Sequence, residues 1–118
     1  MHNFRELQVW KDCVDNATFT YQITRQFPKE ELFGLTAQMR RCAVSMASNI
    51  AEGAGRGTNA QFGHFLDIAI GSTFELETQM IIVKNLGYID SALLAEWQTK
   101  IQSIEKRISS LKNKIVTK

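Results

Sequence analysis

The chain is poor in residues that interrupt helices. Of its 118 residues, only Pro28 is proline, and proline in a helix interior costs about 3 kcal/mol. A single proline therefore leaves room for several long helices. The longest uninterrupted aliphatic run, residues 80–83, is far too short to span a bilayer. Because no N-terminal secretion pattern is present either, we expect a cytoplasmic protein with no membrane partner.

Residues that build reactive sites are equally scarce, with two cysteines and two histidines in the chain. Cys13 and Cys42 each fall on an apolar stripe, which predicts buried thiols and neither a disulfide nor a zinc ligand. His64 and Asp67 are three apart, but no third ligand follows at a useful spacing. No Ser-His-Asp or Cys-His arrangement emerges. We therefore expect no metal, no cofactor, no catalytic residue and no enzymatic activity.

Helical periodicity of apolar residues fills four segments, at about residues 5–26, 29–52, 59–86 and 91–116. No strand pattern competes with them, and the length fits a single domain spanning 1–118. Four long helices with short connections predict an all-α, antiparallel up-down-up-down four-helix bundle. In the first helix we expect the main apolar stripe to comprise Leu7, Trp10, Val14, Ala17 and Tyr21.

The second helix is expected to begin near Lys29, directly after Pro28. It continues through residues 34–58 and ends in a glycine-rich turn. We expect glycine to stop it in a left-handed C-cap conformation, at the positions Gly53, Gly55 and Gly57. Thr58 or Asn59 then caps the third helix.

Polar residues line one side of this central stretch, and this side has two readings. It is either a solvated face or a polar network between helices or subunits. We favour a structural network composed of Arg41, Ser45, Asn49, Glu52 and Glu75. In it, Arg41 and Glu52 are expected to hold the geometry of the bundle or of the pentamer.

The third helix carries more apolar surface than one neighbour needs. On the third helix, Ile70, Phe74 and Ile81 widen the apolar face, which indicates contact between subunits.

The fourth helix has the cleanest coiled-coil spacing in the chain, at Leu94, Trp97, Ile101, Ile104, Ile108, Leu111 and Ile115.

Charge is unevenly distributed along the chain. Residues 98–118 carry six basic residues against Glu105 and so hold a net charge of +5, whereas the whole chain holds +2. Such asymmetry favours an anionic partner.

The glycine-rich turn could hold a phosphate through Arg56, but it lacks the context of a P-loop or a Rossmann fingerprint, and we interpret it as an inter-helix turn. The candidate nucleic-acid-binding residues are Lys100, Arg107, Lys114, Lys106, Lys112, Lys118 and Arg56.

Several short segments together resemble a known family. They are FPKEELFGL at 27–35, QMRR at 38–41, SNIAEG at 48–53, GR at 55–56, GS at 71–72 with ELE at 75–77, and LGYI at 86–89. These segments resemble the four-helix-bundle proteins first noted as 23S rRNA intervening-sequence proteins. The resemblance implies an antiparallel four-helix bundle that assembles into a homopentameric barrel. Relatives include the accessory variability protein of diversity-generating retroelements, implicated in binding a reverse transcriptase and nucleic acid through a basic surface.

Two functions remain open from the sequence. The first is a non-enzymatic homo-oligomer that binds structured RNA, or other nucleic acid, through the basic surface of the fourth helix. The second is a protein-interaction scaffold without a direct nucleic-acid role, for example an accessory subunit of a reverse transcriptase or another nucleic-acid-processing protein. Ligand binding within the bundle core has little support, because large side chains fill the apolar positions.

Overall fold

Four α-helices make up most of the chain in a computed structural model that describes residues 2–116. They are α1 (Gln8–Thr24), α2 (Leu35–Ala54), α3 (Asn59–Asn85) and α4 (Ser91–Val116). Two short 3-10 helices, Phe4–Glu6 and Lys29–Glu31, precede α1 and α2. Within the described residues there is no strand, so the protein is all-α. The helices pack into one globule with extents of 46 × 24 × 20 Å.

The predicted core stripe of α1 is wrong at two of its positions. Val14 and Tyr21 are 38% and 40% exposed. The helix is instead rotated so that a stripe rich in polar residues faces inward, comprising Val9, Cys13, Asn16, Thr20 and Thr24. Threonine tolerates this position because its hydroxyl can donate to a carbonyl of its own helix, as Thr20 Oγ1 does to the carbonyl of Asn16 at 2.8 Å.

Helix α2 begins six residues later than the sequence indicated. The segment after Pro28 forms the 3-10 helix Lys29–Glu31, and Gly34, with φ −112° and ψ −114°, separates it from α2. The Tyr88 hydroxyl donates to Glu31 at 2.8 Å, which ties this segment to the α3–α4 connection. That hydrogen bond is the largest of the effects that raise the pKa of Tyr88.

Gly53 does not stop α2, contrary to expectation. It lies inside the helix, and Gly55 is the C-cap with an ordinary right-handed φ of −84°. A Cβ added to Gly53 would meet the Cβ of Phe65 at 2.7 Å and a ring carbon of Phe62 at 2.9 Å. The position needs glycine because α3 passes this close to the α2 backbone.

The bounds of α3 and α4 agree with the sequence prediction. Thr58 caps α3 by accepting a hydrogen bond from the Gln61 amide at 3.1 Å, and Asp90 accepts from the Leu93 amide at 2.8 Å. Gly87 follows α3 with φ +82°, the left-handed conformation expected of a glycine after a helix C-terminus.

The core lies between the four helices and is filled by large side chains. The predicted seam of α4 is confirmed, with Leu94 and Leu111 half-buried and its other members buried. The largest fully buried side chains include members from each of the last three helices, among them Met46, Phe62, Leu66, Trp97 and Ile101. No helix in residues 2–116 has the length and apolarity to cross a membrane.

Candidate functional site

The cations of α4 lie around its solvent-facing side, because the apolar seam occupies the side that faces the core. Lys100, Lys106 and Lys114 are exposed. Lys106 and Lys114 have no hydrogen bond or ion pair with any other residue between 2 and 116. Lys118 lies outside the described residues. The free charge of α4 is therefore concentrated on a few lysines.

Two other cations of the predicted set are paired with carboxylates. Arg107 donates to Asp12 of α1, and Lys112 lies 2.6 Å from an oxygen of Asp67 on α3. Burial raises the pKa of Asp12, but the hydrogen bonds from Arg107 and Gln8 outweigh it and leave this pKa below its ordinary value. These pairs join helices and reduce the positive field of α4.

Lys100 contacts an aromatic ring but forms no ion pair in the described chain. Its Nζ lies 5.4 Å from the ring centroid of Phe19 on α1, a cation–π arrangement. No carboxylate lies within ion-pair distance of it in the described chain. Lys100 therefore keeps its charge available at the edge between α1 and α4.

Arg56, beside the turn that follows α2, contacts two neighbouring side chains. Its guanidinium donates to Glu52 at 2.8 Å and lies 4.7 Å from the ring centroid of Phe65. Both contacts fix the side chain along the surface of α2 and α3. This arrangement agrees with our interpretation of the segment as an inter-helix turn.

The predicted polar network forms only in part. Ser45 and Ser72 share a hydrogen bond of 3.0 Å across α2 and α3, and Asn49 donates to the Ser45 hydroxyl at 2.9 Å. Arg41 and Glu75 line a small adjoining cavity of about 170 Å³. Arg41 makes no ion pair within residues 2–116, and Glu52 binds Arg56 instead. The structure therefore does not bring Arg41 and Glu52 together.

Sequence reasoning missed a groove between α1 and α4, with a volume of about 540 Å³. Its walls carry Asp12, Asp15 and Asn16 from α1 and Lys100, Ser103 and Arg107 from α4. Asn16 is only 3% exposed, and neither its Nδ2 nor its Oδ1 has a hydrogen-bond partner in the described chain. The available signal was the i, i+4 spacing of Asn16, Thr20 and Thr24, which marks a polar stripe along one side of the helix.

Both cysteines are buried and carry free thiols, as expected. Burial raises the pKa of Cys13 to about 12, and burial together with the Glu75 carboxylate raises the pKa of Cys42 to about 12. Thiols with such pKa values are almost fully protonated at neutral pH and are poor nucleophiles and metal ligands. In the described part of the chain, no three histidine, cysteine or acidic side chains cluster as metal ligands.

Comparison with protein families gives a match that covers almost the whole chain. The model of the family described as 23S rRNA-intervening sequence protein matches residues 5–110. This range begins at the first 3-10 helix and includes most of α4. No curated protein sequence matches the chain.

Proposed function

Because the chain belongs to the 23S rRNA-intervening sequence protein family, we propose that it is a non-enzymatic, homo-oligomeric helical-bundle protein. In this proposal it binds structured RNA through the exposed cations of α4. The observation that carries the proposal is the pair Lys106 and Lys114, which are solvent-exposed and have no carboxylate within residues 2–116 to neutralise them. Lysines of this kind bind phosphates without strong sequence preference. The family's description, which names an rRNA-intervening sequence, is consistent with this partner.

The proposed architecture is an antiparallel up-down-up-down bundle. It is supported by contacts in which residue numbers rise along one helix and fall along the next. Between α3 and α4, Glu77 accepts from Gln102 while Asp67 pairs with Lys112. Between α2 and α3, Ser45 bonds to Ser72, whereas Gly53, eight residues on, lies against Phe65.

Self-association, with a pentamer as the proposed state, is supported by apolar side chains that no helix of the same chain covers. On α3, Phe74 and Ile81 are 55% and 42% exposed and lie two helical turns apart. Between α1 and α2, a shallow groove of about 380 Å³ is lined by Val14, Tyr21 and Val44. Apolar surface of this extent on separate faces suits contacts between copies of the chain. In an oligomer, the lysines of α4 would recur around the assembly, and their summed field would favour a polyanion.

Binding of a labelled structured RNA across a salt series tests the proposal, with the assembly mass measured in the same buffers. We expect affinity to fall steeply with salt, because each neutralised phosphate releases counterions. The double variant Lys106→Glu/Lys114→Glu should weaken binding and flatten the salt dependence. A matched control, Lys11→Glu/Lys84→Glu, makes the same change of charge away from α4. RNA binding that is absent at low salt, or unchanged in the α4 variant, would overturn the proposal.

A second candidate function, a protein-interaction scaffold, is favoured by one specific side chain. Phe33 is 93% exposed in the segment between the second 3-10 helix and α2, beside the 46% exposed Leu32. A projecting aromatic group of this kind is suited to a pocket on a protein partner. Pull-downs from cell extract with and without nuclease distinguish the two functions. For a scaffold, a captured protein should survive nuclease and be lost with Phe33→Ser, whereas for RNA binding it should be lost with nuclease.

A further inference from the structure

Phe33 is the most exposed of the large apolar side chains that the structure describes, at 93%. The backbone around it is nevertheless fixed. The residues before it form the 3-10 helix Lys29–Glu31, and the amides of Glu31 and Gly34 each donate to the carbonyl three residues earlier at 3.0 Å. The Tyr88 hydroxyl holds the Glu31 carboxylate at 2.8 Å. Because the segment is already ordered, Phe33 can enter a pocket on a partner at a low cost in conformational entropy.

An unpaired carboxylate lies on the same side of this segment. Glu30 is exposed, and its carboxylate makes no hydrogen bond or ion pair within residues 2–116. In 3-10 geometry, side chains three residues apart lie above one another, so Glu30 and Phe33 project together. Residues 29–33, which we call the Phe33 segment, therefore present an aromatic ring beside an unpaired negative charge.

The shallow groove between α1 and α2 offers the complementary features. Its volume is about 380 Å³, and its walls are mostly apolar, with Val14, Tyr21 and Val44 among them. The Tyr21 ring is 40% exposed and can make an edge-to-face contact with a second aromatic ring. Arg25 is the charged residue that lines this groove, and no carboxylate of the described chain pairs with its guanidinium. The groove therefore combines an apolar wall with an unpaired positive charge.

We propose that the Phe33 segment of one copy of the chain docks into the α1–α2 groove of a second copy. Phe33 packs against Tyr21 and Val44 there, and Glu30 pairs with Arg25 of that second copy. This inference rests on the self-association in the proposed function and names the surfaces that produce it. Every copy carries both the segment and the groove, so head-to-tail contacts of this kind build a ring when the rotation between neighbours closes.

Exposure and charge favour a second copy over other occupants of the groove. The segment does not fill the groove of its own chain, because Phe33 is 93% exposed. An unrelated protein would have to supply both an apolar pocket and a cation for Glu30, whereas this chain already displays both. Neither the segment nor the groove includes a residue of α4. Assembly through this contact therefore leaves the lysines proposed to bind RNA uncovered.

Sedimentation of the full chain over a series of concentrations tests the aromatic part of the contact. Phe33→Ala should raise the dissociation constant of the assembly about thirtyfold, which is typical of losing a buried aromatic anchor. Phe33 is exposed within one copy, so its replacement is expected to leave the fold of that copy unchanged. Ile68→Ala is the matched control, because Ile68 is 40% exposed on α3 outside both surfaces. It should assemble as wild type does.

Charge reversal tests which polar groups meet across the contact. Glu30→Arg and Arg25→Glu should each weaken assembly about tenfold, since each variant brings like charges together. An equimolar mixture of the two variants should recover assembly, because each chain then meets an opposite charge on the other. Such recovery arises only from a contact between copies. Glu96→Arg reverses the charge of an exposed residue of α4 outside both surfaces and should assemble as wild type does.

The outcomes separate this contact from the proposed function. If Phe33→Ala assembles as wild type does, or if the two charge variants fail to recover on mixing, the contact is wrong, while RNA binding and self-association through other faces still stand. A wild-type chain that stays monomeric would overturn both the contact and the proposed self-association. Unchanged assembly of Phe33→Ala with loss of a captured protein would assign Phe33 to a different protein partner, and this too would overturn the contact.

Discussion

The contact between α2 and α3 differs sharply from the contact between α1 and α4. In the first, Gly53 leaves so little space that an added Cβ would stand 2.7 Å from Phe65, and the small residues Ala43 of α2 and Ala69 of α3 are fully buried. In the second, Asp12 and Arg107 pair across the boundary and the unsatisfied Asn16 borders a groove of about 540 Å³.

The difference shows how residue size and polarity set the distance between helices. Small side chains let two backbones approach until their van der Waals contacts are complete, which gives a close contact around Gly53 that resists an added atom. Burying charged and amide groups costs free energy unless these groups stay hydrated or form hydrogen bonds or ion pairs. A helix pair that carries them remains partly open, and the opening is available to a ligand.

The largest expected effect comes from removing one aliphatic side chain from each contact region. Leu66 of α3 is fully buried, and Ile104 of α4 is 2% exposed but borders the groove. We expect Leu66→Ala to lower the free energy of unfolding by about 4 kcal/mol and Ile104→Ala by about 2 kcal/mol. The difference arises because the space left by Ile104 opens into the groove and fills with water. Urea unfolding at one fixed protein concentration measures both, and equal losses would contradict the comparison.

A single methyl group tests the close approach directly. Gly53→Ala should lower the free energy of unfolding by about 1–3 kcal/mol, since the methyl group overlaps the Cβ of Phe65 and the backbones must separate. Gly71→Ala is the matched control, because no atom lies within 4 Å of its added Cβ. There alanine should raise the same free energy by about 0.5–1 kcal/mol through helix propensity. A stabilising Gly53→Ala would show that the two helices are not held at this distance.

Much of the fold was predictable because its signals are local. The seam of α4 follows from three-and-four spacing, and the caps at Thr58 and Asp90 follow from side chains that accept backbone hydrogen bonds. The role of Gly53 was not predictable from the sequence, because glycine can either end a helix or permit close packing. Only the position of Phe65 shows which of these two roles applies. The sequence predicted that Gly53 ends α2, whereas in the structure Gly53 lies inside α2 and permits its close contact with α3.

The candidate site was less accessible from sequence than the fold. Periodicity placed Lys100, Arg107 and Lys114 on one flank of α4. It did not reveal that Arg107 is neutralised by Asp12, which lies 95 positions earlier in the chain. The rotation of α1 was missed because Val14 and Tyr21 are the more apolar residues, whereas the structure buries Asn16, Thr20 and Thr24. Burial of that stripe depends on the neighbours of α1 and not on its own hydropathy.

Replacing Asn16 tests whether the open region carries a cost in stability. Asn16→Leu replaces the two unpaired buried polar atoms with two methyl groups and keeps the number of side-chain heavy atoms. We expect the free energy of unfolding to rise by about 1–2 kcal/mol. Thr20→Val is the control, because its hydroxyl is already bonded at 2.8 Å, and its change should be neutral or destabilising. A destabilised Asn16→Leu would indicate that the amide has hydrogen-bond partners in solution.

The smallest expected effect concerns the ion pair that crosses the open contact. The pKa of Asp12 is lowered in the folded protein, so its contribution to stability is present above the unfolded-state pKa near 4 and is lost as pH falls through the folded-state pKa. The side chains of Arg107 and Asp12 are 40% and 28% exposed, so solvent screens the pair and we expect only about 0.2–1 kcal/mol. Urea unfolding between pH 7 and pH 2 should therefore show a slightly smaller loss of stability in Asp12→Asn than in wild type.

A control for the ion pair lies on the same helix, three residues further along the chain. Asp15 has no ion pair in the described chain, so Asp15→Asn should leave the free energy of unfolding at pH 7 close to that of wild type. Salt should reduce the difference between wild type and Asp12→Asn, because screening weakens a half-exposed pair far more than it weakens apolar packing. If Asp12→Asn instead cost several kcal/mol at pH 7, the ion pair would be a principal link between α1 and α4. The α1–α4 contact would then be held as firmly by charge as α2–α3 is held by close packing.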